Sequence, residues 1–230
     1  MRKSFVALTL AAVMAIAAVP AFADDTAVTT TAASVSANSV SANKFTDVES
    51  TKWFAGDVAW AVENGVAYGT SNTTFAPYKT CQRDEIVAFL YRTEKEPAVS
   101  ANSVFTDVAK KNWAYNAVTW GAAEGVVAGT SKTTFSPKAV CTRAQAVTFI
   151  WRLAKRPAAT KTSVFTDTAS LKVADYKAAI NWASENGVTA GKTATEFAPS
   201  DTCTRAEIVS FIHRAVEKGL ISSTVSGNNL

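Results

Sequence analysis

One segment occurs three times along the chain, and this repetition constrains the fold more than any other feature. Each copy opens with F-T-D, continues through E-N-G-V or E-G-V, passes an F-x-P turn and ends on a cysteine two residues before an arginine. The cysteines recur after 60 and then 62 residues. A copy of about 50 residues buries little apolar surface by itself, so we expect the three copies to pack together as one cooperative unit.

Within each copy, the hydrophobic pattern predicts two helices joined by a loop. Val58, Ala61 and Val62 form an apolar stripe, which predicts a helix over 55–64 in the first copy. A glycine then follows where a left-handed C-cap is favoured. The second helix is expected to start at the arginine. We therefore predict an all-α fold of three helix-loop-helix repeats packed as a pseudo-threefold trimer in one chain. The predicted repeats span 45–97, 105–157 and 165–218.

The segments outside the repeats have different compositions. Residues 1–23 combine Arg2 and Lys3 with an apolar run and an A-F-A site, which is typical of a secretory signal peptide cleaved after Ala23. Residues 24–44 are predicted to be a low-complexity disordered leader, and 219–230 a flexible tail. No later run is long and apolar enough to span a bilayer. We therefore expect an exported protein with no transmembrane segment after signal cleavage.

Charge and cysteine content bear on the kind of partner. The formal net charge is +4 before signal cleavage and smaller afterwards, which does not indicate nucleic acid. Three cysteines in an exported protein leave a disulfide or free thiols open. Because each cysteine occupies the same place in its copy, we favour three separate buried thiols. With His213 as the only histidine, we predict neither a metal site nor a cofactor.

The distribution of acidic residues argues against catalysis. Glycoside hydrolysis requires two positioned carboxylates. Glu63 and Glu185 share one aligned position, but the middle copy has Ala123 there. His213 aligns with Tyr91, which indicates a position on a helix face and not a general base. We therefore predict that the protein is not an enzyme.

The stretch C-T-R-A-E and its variants begin the second helix of each copy. Thr204 and Glu207 have the spacing of a capping box, as do Thr142 and Gln145. Capping does not explain the arginine at N1, where the helix dipole disfavours a cation by about 0.3–1 kcal/mol. Either the F-T-D aspartate or a ligand carboxylate, bound by the arginine and free helix N–H groups, could compensate. The arginines are Arg83, Arg143 and Arg205, and the aspartates are Asp47, Asp107 and Asp167.

Loop glycines and tryptophans complete the candidate site. The glycines either adopt positive φ or let a sugar approach the backbone, and the two roles are compatible. These glycines are Gly69, Gly129 and Gly191. Trp53 and Trp113 are candidates for stacking on a sugar face. The first-helix tryptophans Trp60, Trp120 and Trp182 are expected in the core.

The ordered motifs resemble the S-layer homology (SLH) domain. Its pattern of F-x-D-V, a tryptophan-containing helix, G-[VI]-x-x-G, F-x-P and T-R-A-E stands here three times after residue 44. The resemblance implies a three-lobed, largely helical pseudo-trimer at the cell surface. It also implies that grooves between lobes bind secondary cell-wall polysaccharide, or another peptidoglycan-linked polymer, through a pyruvylated amino sugar.

Departures from the family pattern predict unequal grooves. The first copy has Q-R-D-E in place of T-R-A-E, and the third lacks the tryptophan found at Trp53 and Trp113. Our first hypothesis is a non-catalytic cell-surface anchoring module. The alternative is a structural envelope protein that mainly self-assembles into a surface array. On the first hypothesis, replacing Arg143 and Arg205 with alanine should weaken wall binding and leave helix content nearly unchanged.

Overall fold

Each copy folds into the two helices that the hydrophobic pattern predicts. The computed structural model describes residues 44–222. The predicted signal peptide, the leader except Lys44 and the tail after Ser222 therefore lie outside the described residues. The helices are α1 (Ala55–Glu63), α2 (Arg83–Thr93), α3 (Tyr115–Ala123), α4 (Arg143–Leu153), α5 (Ala174–Glu185) and α6 (Arg205–Glu217), with a short 3₁₀ turn at Thr166–Thr168. Between Lys44 and Ser222 only isolated β-bridges accompany them, which confirms the all-α class.

The helix boundaries follow local capping chemistry. All three second helices begin at the motif arginine, as predicted. In α4 and α6 the capping box forms as expected, because Thr142 and Thr204 accept hydrogen bonds from the backbone N–H of Gln145 and Glu207. The first helices end before glycines with φ near +65°, the left-handed C-cap that the sequence predicts. These glycines are Gly65, Gly125 and Gly187.

The six helices pack as three pairs that form a closed ring. The first helix of each copy packs against the second helix of the preceding copy, so that α3 lies on α2, α5 on α4 and α1 on α6. The helices α2, α4 and α6 also contact one another at the centre. The contact between α1 and α6 joins the third copy to the first, which confirms the pseudo-threefold arrangement.

The three cysteines meet at the pseudo-threefold axis. The backbone N–H of Cys81 donates to the carbonyl of Cys203 at 2.8 Å, Cys141 donates to Cys81 at 2.9 Å, and Cys203 donates to Cys141 at 2.9 Å. All three side chains are free thiols and fully buried. The prediction of separate buried thiols is therefore confirmed.

None of the helices within 44–222 is long and apolar enough to cross a membrane.

Candidate functional site at the repeat junctions

The three motif arginines lie inside the junctions between copies. Arg83, Arg143 and Arg205 are almost completely buried. Arg83 donates from Nε to the Phe135 carbonyl at 3.0 Å and from Nη2 to the Ala128 carbonyl at 2.8 Å. Each arginine thus reaches into the copy that follows its own, and the third copy reaches back to the first.

The other two junctions repeat this contact with one difference. Arg205 donates to the carbonyls of Phe75 at 2.8 Å and Tyr68 at 2.6 Å. Arg143 donates from Nε to the Phe197 carbonyl at 2.8 Å, and its Nη1 lies 2.6 Å from Oε1 of Glu207. The junction between the second and third copies therefore contains a buried ion pair.

Each guanidinium also lies between two phenylalanine rings of the following copy. Its central carbon is 4.5–5.5 Å from the ring centroids, within the range of a cation–π contact. The pairs are Phe135 and Phe149 for Arg83, Phe197 and Phe211 for Arg143, and Phe75 and Phe89 for Arg205. The rings exclude water, so the guanidinium hydrogen bonds are made in a poorly solvated site.

The helix N-termini do not offer the free N–H groups assumed from the sequence. The N–H of Arg83 donates to the Ala139 carbonyl at 3.0 Å, and that of Asp84 to the Pro137 carbonyl at 3.1 Å. Equivalent bonds from the first two residues of α4 and α6 reach the adjoining copy. That assumption was wrong because the neighbouring backbone occupies these donors.

The F-T-D aspartates hold the F-x-P turn of their own copy. Asp47 accepts hydrogen bonds from the N–H groups of Phe75 at 2.8 Å and Ala76 at 2.7 Å, and Asp107 and Asp167 do the same in their copies. This fixes the residue before the proline at φ near +58°, which non-glycine residues rarely adopt. The aspartate therefore does not form the direct ion pair with the arginine that was considered from the sequence.

The aspartates still influence the arginines through their charge. Burial lowers the pKa of Arg205, and the negative charge of Asp47 is among the groups that oppose this shift. Burial likewise lowers the pKa of Arg83, against a smaller opposing effect of Asp107. The electrostatic pairing thus runs between adjoining copies and not within one copy.

The loop glycines make room for the loop itself. A Cβ at Gly129 would overlap the carbonyl oxygens of Ser131 and Thr134 and the ring of Phe105. Gly69 and Gly191 are equally crowded by their own loops. Of the three, only Gly191 has a positive φ, +81°. The close packing of the turn is therefore the shared reason for glycine.

Replacing Gly129 with alanine is expected to destabilise the protein by several kcal/mol, because the overlapping atoms are mainly backbone and must shift. Gly56 in α1 is the matched control, because a Cβ there meets nothing within 4 Å. Gly56→Ala should be neutral or stabilising by up to about 1 kcal/mol. Urea unfolding measures both variants, and equal midpoints for them would contradict the packing role of Gly129.

The tryptophans divide between surface and core. Trp113 is 55% exposed, whereas Trp53 is partly buried and meets Phe54 edge-on at 5.2 Å. Trp120 and Trp182 are buried as expected, but Trp60 is only partly buried and stacks on His213 at 4.4 Å. The two candidates for sugar stacking therefore differ in accessibility.

Lys138 lies beside Trp113 and pairs with Asp84, and neither residue was among the sequence candidates. The ammonium of Lys138 lies 5.8 Å from the Trp113 ring centroid and 2.9 Å from Oδ2 of Asp84. Asp84 is one of the residues by which Q-R-D-E departs from T-R-A-E, which marked it as unusual. Nothing in the sequence linked it to a lysine 54 residues away. Among residues 44–222, no three His, Cys, Asp or Glu side chains are arranged to hold a metal ion.

Fold and junctions together define a closed helical domain built from three sequence repeats. The S-layer homology domain model matches residues 44–86, 104–147 and 165–209. Because these matches cover more than half of the chain, the protein belongs to the S-layer homology domain family, whose domains are non-catalytic anchoring modules.

Three curated relatives are similar to part of the chain. An endoglucanase from Bacillus sp. (strain KSM-635) is 34% identical over 113 residues, which are 49% of this chain and 12% of that protein. The Surface-layer 125 kDa protein of Lysinibacillus sphaericus is 34% identical over 103 residues, 43% of this chain and 9% of that protein. Exoglucanase XynX of Acetivibrio thermocellus is 28% identical over 119 residues, which are 49% of this chain and 11% of that protein. The chain thus matches only about a tenth of the length of these relatives.

Proposed function

We propose that this protein is an exported, non-catalytic module that binds secondary cell-wall polysaccharide at its repeat junctions and so holds itself on the cell surface. The observation that carries the proposal is the match of all three repeats to the S-layer homology domain. A pyruvylated amino sugar is the proposed recognition unit, which rests on the resemblance of the motifs to that family.

The exposed side chains are the proposed ligand contacts, with Trp113, which is 55% exposed, as the sugar platform. The arginines, loop glycines and F-T-D aspartates build the walls beneath them, because the structure commits their polar groups to neighbouring backbone. Direct ligand contact by Arg83, Arg143 or Arg205 would require those hydrogen bonds to rearrange. Their proposed contribution is therefore the shape of the groove.

The enzyme names of two relatives do not extend to this chain. The match to the endoglucanase covers only 12% of that protein's length. Within the three repeats, the aligned position of Glu63 and Glu185 is occupied by Ala123 in the second copy. A pair of carboxylates common to all copies is therefore missing from the sequence pattern, and we propose no catalytic role.

The proposal is tested by sedimentation with purified wall sacculi. The mature chain should co-sediment with intact sacculi, and the bound fraction should fall to background after hydrofluoric acid has removed the secondary polymer. Bovine serum albumin in the same assay controls for trapping. Binding that survives removal of the polymer would contradict the polysaccharide proposal.

A surface array is the second candidate function, because one relative is a surface-layer protein. The exposed valines Val104 and Val164 occupy the same place before F-T-D in two copies and are 63% and 66% exposed. Self-association predicts a mass above that of one chain in light scattering without any glycan. A monomer that binds sacculi would favour anchoring over array formation.

A further inference from the structure

The three junctions carry different side chains at two equivalent positions. The residue after the F-x-P proline is Tyr78, Lys138 or Ser200, and the second residue of the second helix is Asp84, Ala144 or Ala206. The junction of the first and second copies therefore combines Lys138 with Asp84. The junction of the third and first copies combines Tyr78 with Ala206. Only one junction has a charged pair at these positions.

The backbone fixes the place from which Lys138 projects. The carbonyls of its two neighbours, Pro137 and Ala139, accept the N–H groups of Asp84 and Arg83 at 3.1 and 3.0 Å. The ammonium then lies 2.9 Å from Asp84 Oδ2 and 5.8 Å from the Trp113 ring centroid. A lysine side chain is usually mobile. In Lys138, hydrogen bonds of the neighbouring carbonyls fix the backbone, and the contact with Asp84 holds the ammonium.

The carboxylate of this pair is buried, whereas its ammonium is exposed to solvent. The Asp84 side chain is 0% exposed, whereas Lys138 is 62% exposed and Trp113 is 55% exposed. Burial raises the pKa of Asp84, and the hydrogen bond from Lys138 opposes that shift. The surface thus offers an ammonium beside an indole, with the compensating carboxylate behind them.

Helix formation does not require Asp84, although a carboxylate in the first turn of α2 interacts favourably with the helix dipole. Its Oδ1 is buried without a hydrogen-bond partner among the described residues, and such a carboxylate is a poor source of stability. The other two copies carry Ala144 and Ala206 at this place and start the same helix. A residue that folding does not require, and that holds an exposed cation over an exposed aromatic ring, suggests a role in binding.

We propose that Trp113, Lys138 and Asp84 make the junction of the first and second copies the binding groove for an acidic wall glycan. One sugar ring packs on the Trp113 indole, and an acidic group of the same glycan binds the Lys138 ammonium. Asp84 acts as a positioning residue for Lys138. This inference rests on the proposed glycan binding. At the junction of the third and first copies, Trp53 and Tyr78 supply aromatic surface but no cation.

The experiment titrates intact sacculi with the full mature chain and its single variants. Trp113→Ala and Lys138→Gln should each weaken binding roughly tenfold, because each removes one main contact. The matched variants Trp53→Ala and Tyr78→Gln should change it by less than about threefold. Asp84→Ala should weaken binding by about threefold, because Lys138 remains but is no longer held.

Two further readouts separate binding from folding. Wild-type affinity should fall as NaCl rises, and Lys138→Gln should show a shallower salt dependence, which a structural defect would not produce. Asp84→Ala should melt no lower than wild type at pH 7, because a buried carboxylate with a raised pKa disfavours the folded state as pH rises above the carboxyl's unfolded value. Carbodiimide amidation of the sacculi identifies the acidic group. Binding should be abolished if that group is a carboxylate and should persist if it is a phosphate.

The outcomes distinguish this inference from the proposed function. Wild-type chain that does not bind sacculi overturns the proposed function itself. Wild-type binding that Trp113→Ala and Lys138→Gln leave unchanged overturns the groove assignment alone. The assignment is also overturned if Trp53→Ala and Tyr78→Gln cause the larger loss, or if wild-type binding is insensitive to salt.

Discussion

Replacing Arg143 with alanine is expected to lower the free energy of unfolding by roughly 3–5 kcal/mol. Arg143 is fully buried, and its Nη1 lies 2.6 Å from Oε1 of Glu207. The substitution leaves that carboxylate, which is itself 7% exposed, without its ion-pair partner, and leaves the Phe197 carbonyl without this donor. Loss of the guanidinium also opens a cavity between two phenylalanine rings.

Urea unfolding followed by circular dichroism measures this effect, and Arg156 provides the control. Arg156 also donates to a backbone carbonyl, that of Gly125 at 2.8 Å, but at an exposed site where water can replace it. Arg156→Ala should therefore cost less than about 1 kcal/mol. The expectation from sequence, that replacing Arg143 and Arg205 with alanine would weaken wall binding and leave helix content nearly unchanged, is replaced by this one. Equal unfolding midpoints for the two variants would show that the junction does not depend on its arginine.

Folding stability is expected to fall steeply above about pH 9. Burial raises the pKa of Cys141 to about 12 and also raises the pKa values of Cys81 and Cys203 well above the ordinary thiol value. Between the ordinary thiol value and these raised values, the unfolded chain loses thiol protons that the folded chain retains. Each thiol then removes about 1.4 kcal/mol of stability per pH unit, and below the ordinary value it has no such effect.

Unfolding midpoints between pH 7 and 10.5 test this prediction. A triple variant with alanine at Cys81, Cys141 and Cys203 should show a clearly shallower decline, because only the α-amino group and the tyrosine and lysine side chains then titrate mainly in that range. At pH 8, the native thiols should react with Ellman's reagent roughly a thousandfold more slowly than a thiol of ordinary pKa. Rapid labelling of native protein, or parallel pH profiles for the two chains, would contradict the placement of the cysteines at the axis.

Much of the fold follows from local sequence chemistry. Thr204 and Glu207 form the capping box that their spacing predicts, and Gly65 adopts the left-handed conformation expected after α1. Helix starts, helix ends and buried thiols could all be predicted because each depends on a few adjacent residues or on the repeat itself. The equivalence of the cysteines also favoured free thiols over a disulfide, and all three thiols are free.

The site was less predictable because its partners are backbone groups far along the chain. Arg205 binds carbonyls of Phe75 and Tyr68, 130 and 137 residues away, and no side-chain pattern reveals which carbonyl is available. The charge of the arginine favoured an aspartate or a ligand carboxylate as its partner. The aspartate's own partners, the two N–H groups of the F-x-P turn, were equally hidden, because every residue type except proline carries such a group.

The contact between the third copy and the first has a consequence for how the chain is made. During synthesis, the Phe75 carbonyl exists long before Arg205, its guanidinium donor, has been added. A nascent chain with two copies has only one of the three junctions, and Arg143 has no carbonyl to receive its hydrogen bond. Stable folding is therefore expected only once the last repeat has been added, because two of the three junctions cannot form before then.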